Sequence, residues 1–587
     1  MSLYKKLVPL FLLLSVAVYA QKKDSRDVFS GTLIYNNSYI DQPYVVKLKD
    51  GSWLCVFTTG AESESRPGQH IVSIITKDQG KTWSNPIKIE PNVGPISSWA
   101  IPYLTSYGRI YVFYNYNGDN VAKLNGKPIR QAGLLGWYCY KYSDDNGQTW
   151  SEKRYRLPVR LTDVDTNNDF KGKVQMLWGI DKPHEIDGVL YFAFTKLGVF
   201  PQGMGEGWMF KSDNIAHEKD PEKHTWTMLP EGNKGFRNPE LGSVQEEHNI
   251  VQLNNGTFYC VLRTALGFTA DSYSFDKGTT WTVPQPMTYL PDETSLIKNP
   301  RACPRIFKCT NGKYLLWYHN HGGKDFKGRN PVWVTGGIEK DGKIHWSQPE
   351  ILLYTTDPKI AGMSYPDLIE QDGKYWITET QKKEARVHVI DNNLLEGLWK
   401  QAERAALVKN GLLFNKSNIQ RNNKFKLKQL PGLKDGGFTV EMWLSFKDLK
   451  EGLEIVDTRG VSGKGLLITT KSKHSVNLQL NDGETVHHWD TDADLLTKDK
   501  LHHIVFIVDG LSDVISVIID GKLCDGGKSR QQGWSKFSDK LDNINGDGNI
   551  KLASSFNGEI KQLRIYSRYL TTSEVISNYN SGIKKGK

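Results

Sequence analysis

An eight-residue pattern, Ser/Thr-x-Asp-x-Gly-x-Thr-Trp, occurs three times in this chain: TKDQGKTW (Thr76 to Trp83), SDDNGQTW (Ser143 to Trp150) and SFDKGTTW (Ser274 to Trp281). Short side-chain oxygens around a glycine suit a tight hairpin whose backbone must enter the left-handed region, and the closing indole covers an edge. Weaker relatives end at Trp226 (KSDNIAHEKDPEKHTW) and Trp346 (IEKDGKIHW). One such octet is a solvated turn, whereas three spaced copies are the punctuation of a repeat.

A second marker runs in phase with the octets, a turn glycine followed by an apolar, aromatic-rich strand. It reads DGSWLCVFTT, YGRIYVFYNY, DGVLYFAFTK, NGTFYCVLRT, NGKYLLWYHN and DGKYWITETQ, with Gly51, Gly108, Gly188, Gly256, Gly312 and Gly373 at the turns. Six units of about 55 to 80 residues, each with about four short strands, bury their faces by stacking radially. The octets resemble the Asp-boxes, or BNR repeats, of sialidase-like six-bladed propellers, and the resemblance covers residues from about 28 to 400. From about Gly411 the pattern changes to alternating strands between Gly/Asp/Asn turns: GLLFNKSNIQ, GGFTVEMWLSF, HHIVFIVDG, VISVIIDGKL and FNGEIKQLRIYSRYLTTSEV. This stretch, about 410 to 583, resembles a LamG-like, concanavalin-type jelly roll, a module that serves either as a sugar binder or as a packing partner. The expected fold class is therefore all-β, a six-bladed β-propeller over 28–400 followed by a β-sandwich jelly roll.

Residues 1–20 join a basic start (Lys5, Lys6) to an apolar run and small residues at Val18 and Ala20. This is the pattern of a secretory signal peptide cleaved near Ala20, which predicts a secreted or periplasmic product. No other apolar run approaches the length of a membrane span. The formal net charge of +10, or +8 without Lys5 and Lys6, is spread along the chain. Such a charge suits general solubility or an acidic glycan partner, and no Lys/Arg run argues for nucleic acid. Cys55, Cys139 and Cys260 lie in apolar strands of different units and read as core, leaving Cys303 and Cys309 as the one pair placed to bridge. No spacing has a zinc signature, and neither metal nor cofactor is expected.

In a propeller the innermost strand of each blade starts at one mouth of the central channel and the next strand returns to it, so the side chains at those ends converge. The inner-strand starts are read as Asp41 and Gln42, Trp99, Asp181, Lys182 and His184, Glu246, Glu247 and His248, Arg301 and Arg305, and Tyr365. The returning ends supply Thr58, Thr59, Asn115, Lys196, Arg263, His319, His321 and Glu379. Any one of these is by default a solvated loop position; arginines, acids, histidines and a tyrosine on one rim together point to a site.

The sialidase resemblance implies roles for some of them. Tyr365, in GMSYPDLIEQDG, stands at the place of the tyrosine nucleophile, and Glu246 or Glu247 at that of its acidic partner. Arg263 in CVLRTALG and Arg329 in KGRNPVWV match two members of the arginine triad. The first arginine is absent, because Asp41-Gln42-Pro43 stands where sialidases have Tyr-Arg-Ile-Pro. The loop GAESESRPGQH holds Glu62, Glu64, Arg66 and His70 but no aspartate at the place of the acid.

Arginine's planar fork suits a carboxylate, so the expected substrate is a carboxylated sugar such as a uronic acid, within an acidic oligosaccharide or polysaccharide. The first reading is β-elimination, by a lyase or a dehydratase: Arg263 and Arg329 neutralise the carboxylate, a base among His184, His248, His319 and Tyr365 removes the C5 proton, and an acid protonates the group leaving C4. Propeller-fold ulvan lyases have a similar His/Tyr/Arg set, and the two-module layout is similar to glycan-degrading proteins of marine Bacteroidetes, which implies a sulfated algal uronate such as ulvan. The second reading is hydrolysis, with Tyr365 as nucleophile and Glu246 or Glu247 as its base. The third is a non-catalytic glycan-binding propeller. Arg263, Arg329, Arg301, His321, Glu379 and Arg66 are the expected substrate binders, and Arg263 is expected to be a rim residue that contributes little to its blade.

Overall fold

The computed structural model describes residues 24–291, 293–324, 328–360 and 362–583; the signal segment read at 1–20 lies outside them. Six antiparallel sheets of four or five strands follow one another along the chain. Their inner strands are Tyr39–Lys47, Ser97–Leu104, Leu177–Trp178 continued by His184–Ile186, Glu246–Gln252, Arg305–Lys308 and Ser364–Gln371. The sixth sheet is completed by Thr32–Asn36, which pairs antiparallel with Glu384–Ile390 and so ties the start of the described chain to the last blade. Strand Trp53–Gly60 is buried along its whole length, because each blade packs both faces against neighbours: Leu54 and Val56 of the first blade share a cluster with Ile110 and Val112 of the second.

The octets work as their composition requires. In SFDKGTTW the Ser274 hydroxyl donates to Asp276 Oδ1 at 2.9 Å and accepts from Gly278 N at 2.7 Å, while Asp276 also accepts from Thr280 N and Thr280 Oγ1 at 2.8 and 2.6 Å. The same set recurs at Thr76, Asp78, Gly80 and Thr82 and at Ser143, Asp145, Gly147 and Thr149. A Cβ on Gly147, whose φ is +83°, would lie 2.1 Å from Leu54 Cδ1 of the preceding blade. The octet glycine therefore allows both the turn and the close approach between blades.

The C-terminal part is a sandwich of a seven-stranded and a six-stranded sheet around one apolar core that includes Phe438, Met442, Ile468, Leu478 and Phe506. Its contacts with the propeller include groups at two places. At one, Arg26 Nη1 pairs with Asp509 at 2.7 Å, and Glu350 accepts from the N-terminal amides of helix Thr572–Ser581 (Thr572 at 3.0 Å, Ser573 at 2.8 Å). At the other, Trp534 enters the apolar cluster of the fifth blade with Tyr318 and Trp333.

All six cysteines are buried free thiols. Cys303 and Cys309 do not bridge, since Cys303 lies in the cluster with Trp99, Trp178 and Tyr365 whereas Cys309 packs with Leu315 and Trp317. No helix among the described residues is long and apolar enough to cross a membrane.

Candidate functional site

At one mouth of the propeller four inner strands share a defect. Their pairing shifts register between Asp41 and Tyr44, Ser98 and Ile101, Glu246 and Asn249, and Ser364 and Asp367. Within each shift one residue has a positive φ: Gln42 (51°), Trp99 (56°), Glu247 (56°) and Tyr365 (49°). A bulge re-aims a side chain out of the strand's alternation, and a non-glycine residue at positive φ costs on the order of 1 kcal/mol or more. The re-aimed side chains meet across the channel. Gln42 Nε2 donates to Gly179 O at 3.3 Å, the indoles of Trp99 and Trp178 lie 6.1 Å apart, and the Tyr365 hydroxyl of the sixth blade donates to Glu247 Oε1 of the fourth at 2.8 Å.

Around that phenol the charges are arranged in two groups. In the first, Arg263 donates through Nη1 to Glu247 Oε1 at 2.6 Å and through Nε to Glu246 Oε2 at 3.1 Å, and its Nη2 also bonds Glu246. Glu246 further receives Arg301 Nη2 at 3.1 Å. Arg329 reaches Ser364 Oγ at 2.6 Å, beside Tyr365, and the Arg301 carbonyl at 3.1 Å. In the second group, Asp41 accepts from Tyr39 Oη at 2.8 Å and Lys382 Nζ at 2.6 Å. Lys382 also lies 3.6 Å from Glu64 and 4.8 Å from the centre of the Tyr365 ring. Burial pushes the Tyr365 hydroxyl far above the usual phenol range; the negative charge of Glu247 adds to this, and Arg263 and Arg329 oppose it. Burial also raises Asp41, against the pull of Lys382. For Lys382 burial works against the ammonium, but Asp41 and Glu64 outweigh it and hold the group above its ordinary value.

The geometry thus brings together Tyr365, Glu246, Glu247, Arg263, Arg301 and Arg329, all named from the sequence. Arg263 is not a rim residue, however: it is 4% exposed and saturated by two buried carboxylates. The cations that face solvent at this mouth are Arg301 and Lys382, with side chains 39% and 36% exposed, and half-buried Arg329.

The histidines are elsewhere. The inner strand of the third blade starts at Leu177, paired with Lys196; His184 pairs with Tyr191, close to the turn at Asp187–Gly188 and so toward the opposite end, where it lies 3.4 Å from Asp181. His248, next to Glu247 within the bulge, points into the seam between blades, shares a 2.9 Å hydrogen bond with Thr195 Oγ1, and is driven by burial down to about 3. His319 is fully buried 3.4 Å from the Pro331 carbonyl, and burial, then Arg329 and His321, keep it well below the imidazole range. His321 bonds the Gly328 carbonyl at 2.7 Å and stands beside Trp534 of the jelly roll. Glu379 is fully buried, bonded within its own blade to Gln381 and His388 at 3.1 and 3.3 Å. These five are corrections to the sequence reading: His184 lies toward the opposite end of its blade, His321 lies in the loop after Tyr314–Tyr318, and His248 follows mouth-facing Glu247 into the seam, as alternation along a strand requires. Arg66 is exposed on the loop between the second and third strands of the first blade, the loop that also carries Glu64.

Lys382 and its contact with Tyr365 escaped the sequence reading, since it follows the second strand of the sixth blade in a turn with φ of 71°. The motif DQP was a usable signal: an acid at a channel mouth implies a buried partner.

Comparison with known proteins places these elements in context. The model of a BNR repeat-like domain matches residues 52–377, more than half of the chain, and that of the concanavalin A-like lectin/glucanases superfamily matches 420–576. A sialidase of Clostridium perfringens is 25% identical over 266 residues, 43% of this chain and 63% of the relative, so the match spans less than two thirds of that protein. Among solved structures, Trypanosoma rangeli sialidase in complex with a 2,3-difluoro-KDN compound has a TM-score of 0.44 and 13% identity, with 93% of this chain and 94% of that chain covered. A Dyadobacter fermentans protein of unknown function has a TM-score of 0.44 and 16% identity over 61% and 98% of the two chains.

Proposed function

This chain belongs to the BNR repeat-like domain family, and from that premise we propose that it is a carbohydrate-active enzyme, a glycoside hydrolase that releases a carboxylated sugar with Tyr365 as nucleophile. The observation that carries this reading is the hydrogen bond from the Tyr365 hydroxyl to Glu247 Oε1, the same oxygen that Arg263 Nη1 holds in place. A phenol held neutral by burial is a weak nucleophile, and an adjacent carboxylate that takes its proton as the bond to the anomeric carbon forms corrects that. The aglycone oxygen leaves with a proton. Glu64, a solvent-facing carboxyl 3.6 Å from Lys382, which itself lies against the Tyr365 ring, is the group assigned to supply it. Water then gives its proton to the Glu64 carboxylate as its oxygen attacks the anomeric carbon of the glycosyl-tyrosine; the phenolate oxygen leaves, taking the proton back from Glu247, and sugar is released.

Arg301, Arg329 and Lys382 are the cations available to the sugar carboxylate, because Arg263 is fully engaged by Glu246 and Glu247. The similarity to a protein named a sialidase supports an N-acylneuraminic acid as that sugar; a uronic acid presents the same ring carboxylate.

Elimination from a uronate, including an ulvan-type one, is less well supported by this geometry. The three histidines that would serve as base are away from the mouth, and the raised Tyr365 disfavours a free phenolate. Secretion or periplasmic location, from the segment at 1–20, belongs to the same proposal.

The experiment offers fluorinated glycosyl fluorides of N-acetylneuraminic acid and of glucuronic acid and reads mass. A covalent adduct on the peptide holding Tyr365 is expected with one of them. A rise in ultraviolet absorbance on uronate oligosaccharides with no adduct would overturn hydrolysis in favour of elimination, and saturable binding with neither signal would leave a glycan-binding propeller.

A further inference from the structure

We propose that the jelly roll is a working part of the propeller's mouth: its segment 524–534 positions the two solvent-facing arginines, Arg301 and Arg329. The segment touches the propeller at three points on two loops, the one before Arg305 and the one after Tyr318, both on the mouth side of the fourth and fifth blades. Lys298 Nζ donates to the Asp525 carbonyl at 2.5 Å and the Arg530 carbonyl at 3.3 Å. Gly322 N donates to the Gln531 carbonyl at 2.9 Å. The buried Trp534 indole donates to the Asn320 carbonyl at 2.8 Å.

From these three points two short lines of contact run to the site. Along the first, Lys298 precedes Asn299, whose backbone N–H bonds Gly267 O at 3.0 Å and whose side chain holds both His319 N and the Ala302 carbonyl at 3.0 Å; Arg301 is enclosed in that loop. Along the second, His321, between Asn320 and Gly322, bonds the Gly328 carbonyl at 2.7 Å, and the next residue, Arg329, bonds Ser364 Oγ and the Arg301 carbonyl. Both lines end on guanidinium groups that a substrate carboxylate would meet. Neither passes through the other interface, where Arg26, Asp509, Glu350 and helix Thr572–Ser581 hold the two parts together. Hydrogen bonds from Leu523 N to Gln348 Oε1 at 2.9 Å and from Lys536 Nζ to the Thr355 carbonyl at 3.2 Å continue the same interface, and segment 524–534 is its part against the mouth loops; positioning groups held by packing and hydrogen bonds behind them is what precise recognition requires.

Gly322 makes the idea testable without dismantling the fold. A Cβ there would lie 1.7 Å from Gln531 Oε1 and 2.7 Å from its Cδ, so Gly322→Ala drives the Gln531 side chain out of its place against the loop. Adding Gln531→Ala removes the colliding atoms and leaves only that residue's own Cβ, 3.3 Å off.

Two measurements on the full chain are decisive. In hydrogen exchange, Gly322→Ala is expected to speed exchange at 299–303 and 328–332, with Gly322→Ala/Gln531→Ala restoring protection and the unfolding midpoint of both within a few degrees of the parent. Faster exchange confined to 319–323, or no change at all, would overturn the proposal. In kinetics, which rest on the proposed hydrolase reading, an aryl glycoside of N-acetylneuraminic acid should show KM raised about fivefold with kcat kept in Gly322→Ala, and recovery in the double variant. A parent protein with no turnover would count against that reading alone, since the exchange result stands without it.

Discussion

Tyr365 and Arg263 do different work though both bond Glu247. Tyr365→Phe removes one hydroxyl and keeps the ring, so stability should change by about 1 kcal/mol while turnover disappears. Residual activity near the parent's level would remove the tyrosine from the chemistry. Glu247→Gln should lower kcat by about 10²–10⁴-fold, the range for a group that moves a proton in the transition state. Arg263→Ala is a different experiment from the one its place at a strand end suggests. It leaves buried Glu247 with only the neutral Tyr365 hydroxyl and buried Glu246 with only Arg301, and loss of the shared buried cation should destabilise the protein by about 3–5 kcal/mol. Denaturant melts that match the parent's would show that those carboxylates are wetter than this geometry implies.

Among elements, the octet turns and the C-terminal helix depend on single carboxylates in opposite ways. Asp145 gathers Ser143 Oγ, Thr149 N and Thr149 Oγ1. Asp145→Ala should cost about 1–2 kcal/mol, read from the urea midpoint, with no loss of activity, since the turn is on the outer side of its blade. Glu350 lies buried beneath helix Thr572–Ser581, and burial pushes its carboxyl up to about 7 even though two helix amides favour the charge. The folded state therefore binds a proton that the unfolded chain, near 4.5, has already released. This contribution is fully present below about 4.5 and falls as pH rises through about 7, by roughly 1–3 kcal/mol. Glu350→Gln should flatten the stability profile across that window; an unchanged slope would mean that the amides dominate and the carboxylate is charged throughout.

For the whole molecule, the two-domain layout predicts that the propeller does not survive alone unchanged. Trp534 fills a space beside Tyr318, Trp333 and Tyr289 in the fifth blade, and removing it uncovers aromatic surface next to the mouth. A chain ending near residue 409 should melt earlier and bind a hydrophobic dye, whereas a fragment with the parent's midpoint and exchange pattern would make the jelly roll an appendage.

The repeat, its count and the change of pattern near Gly411 were legible in the sequence because they are local. An octet closes its own hydrogen bonds within eight residues, and a blade strand announces itself by its apolar run and turn glycine. The convergence of Tyr365, Glu247, Arg263 and Arg329 was legible for a related reason, since strand order fixes which ends share a mouth. Direction at that mouth was not. A one-residue bulge decides that Glu247 and Tyr365 face the axis while His248 faces the seam, and the interval from Trp178 to His184 moves that histidine toward the far end. The charge partners, Lys382 with Asp41 and Arg263 with two glutamates, join residues up to hundreds of positions apart. Burial supplies the low dielectric that makes such pairs obligatory, and burial exists only after the chain has closed on itself.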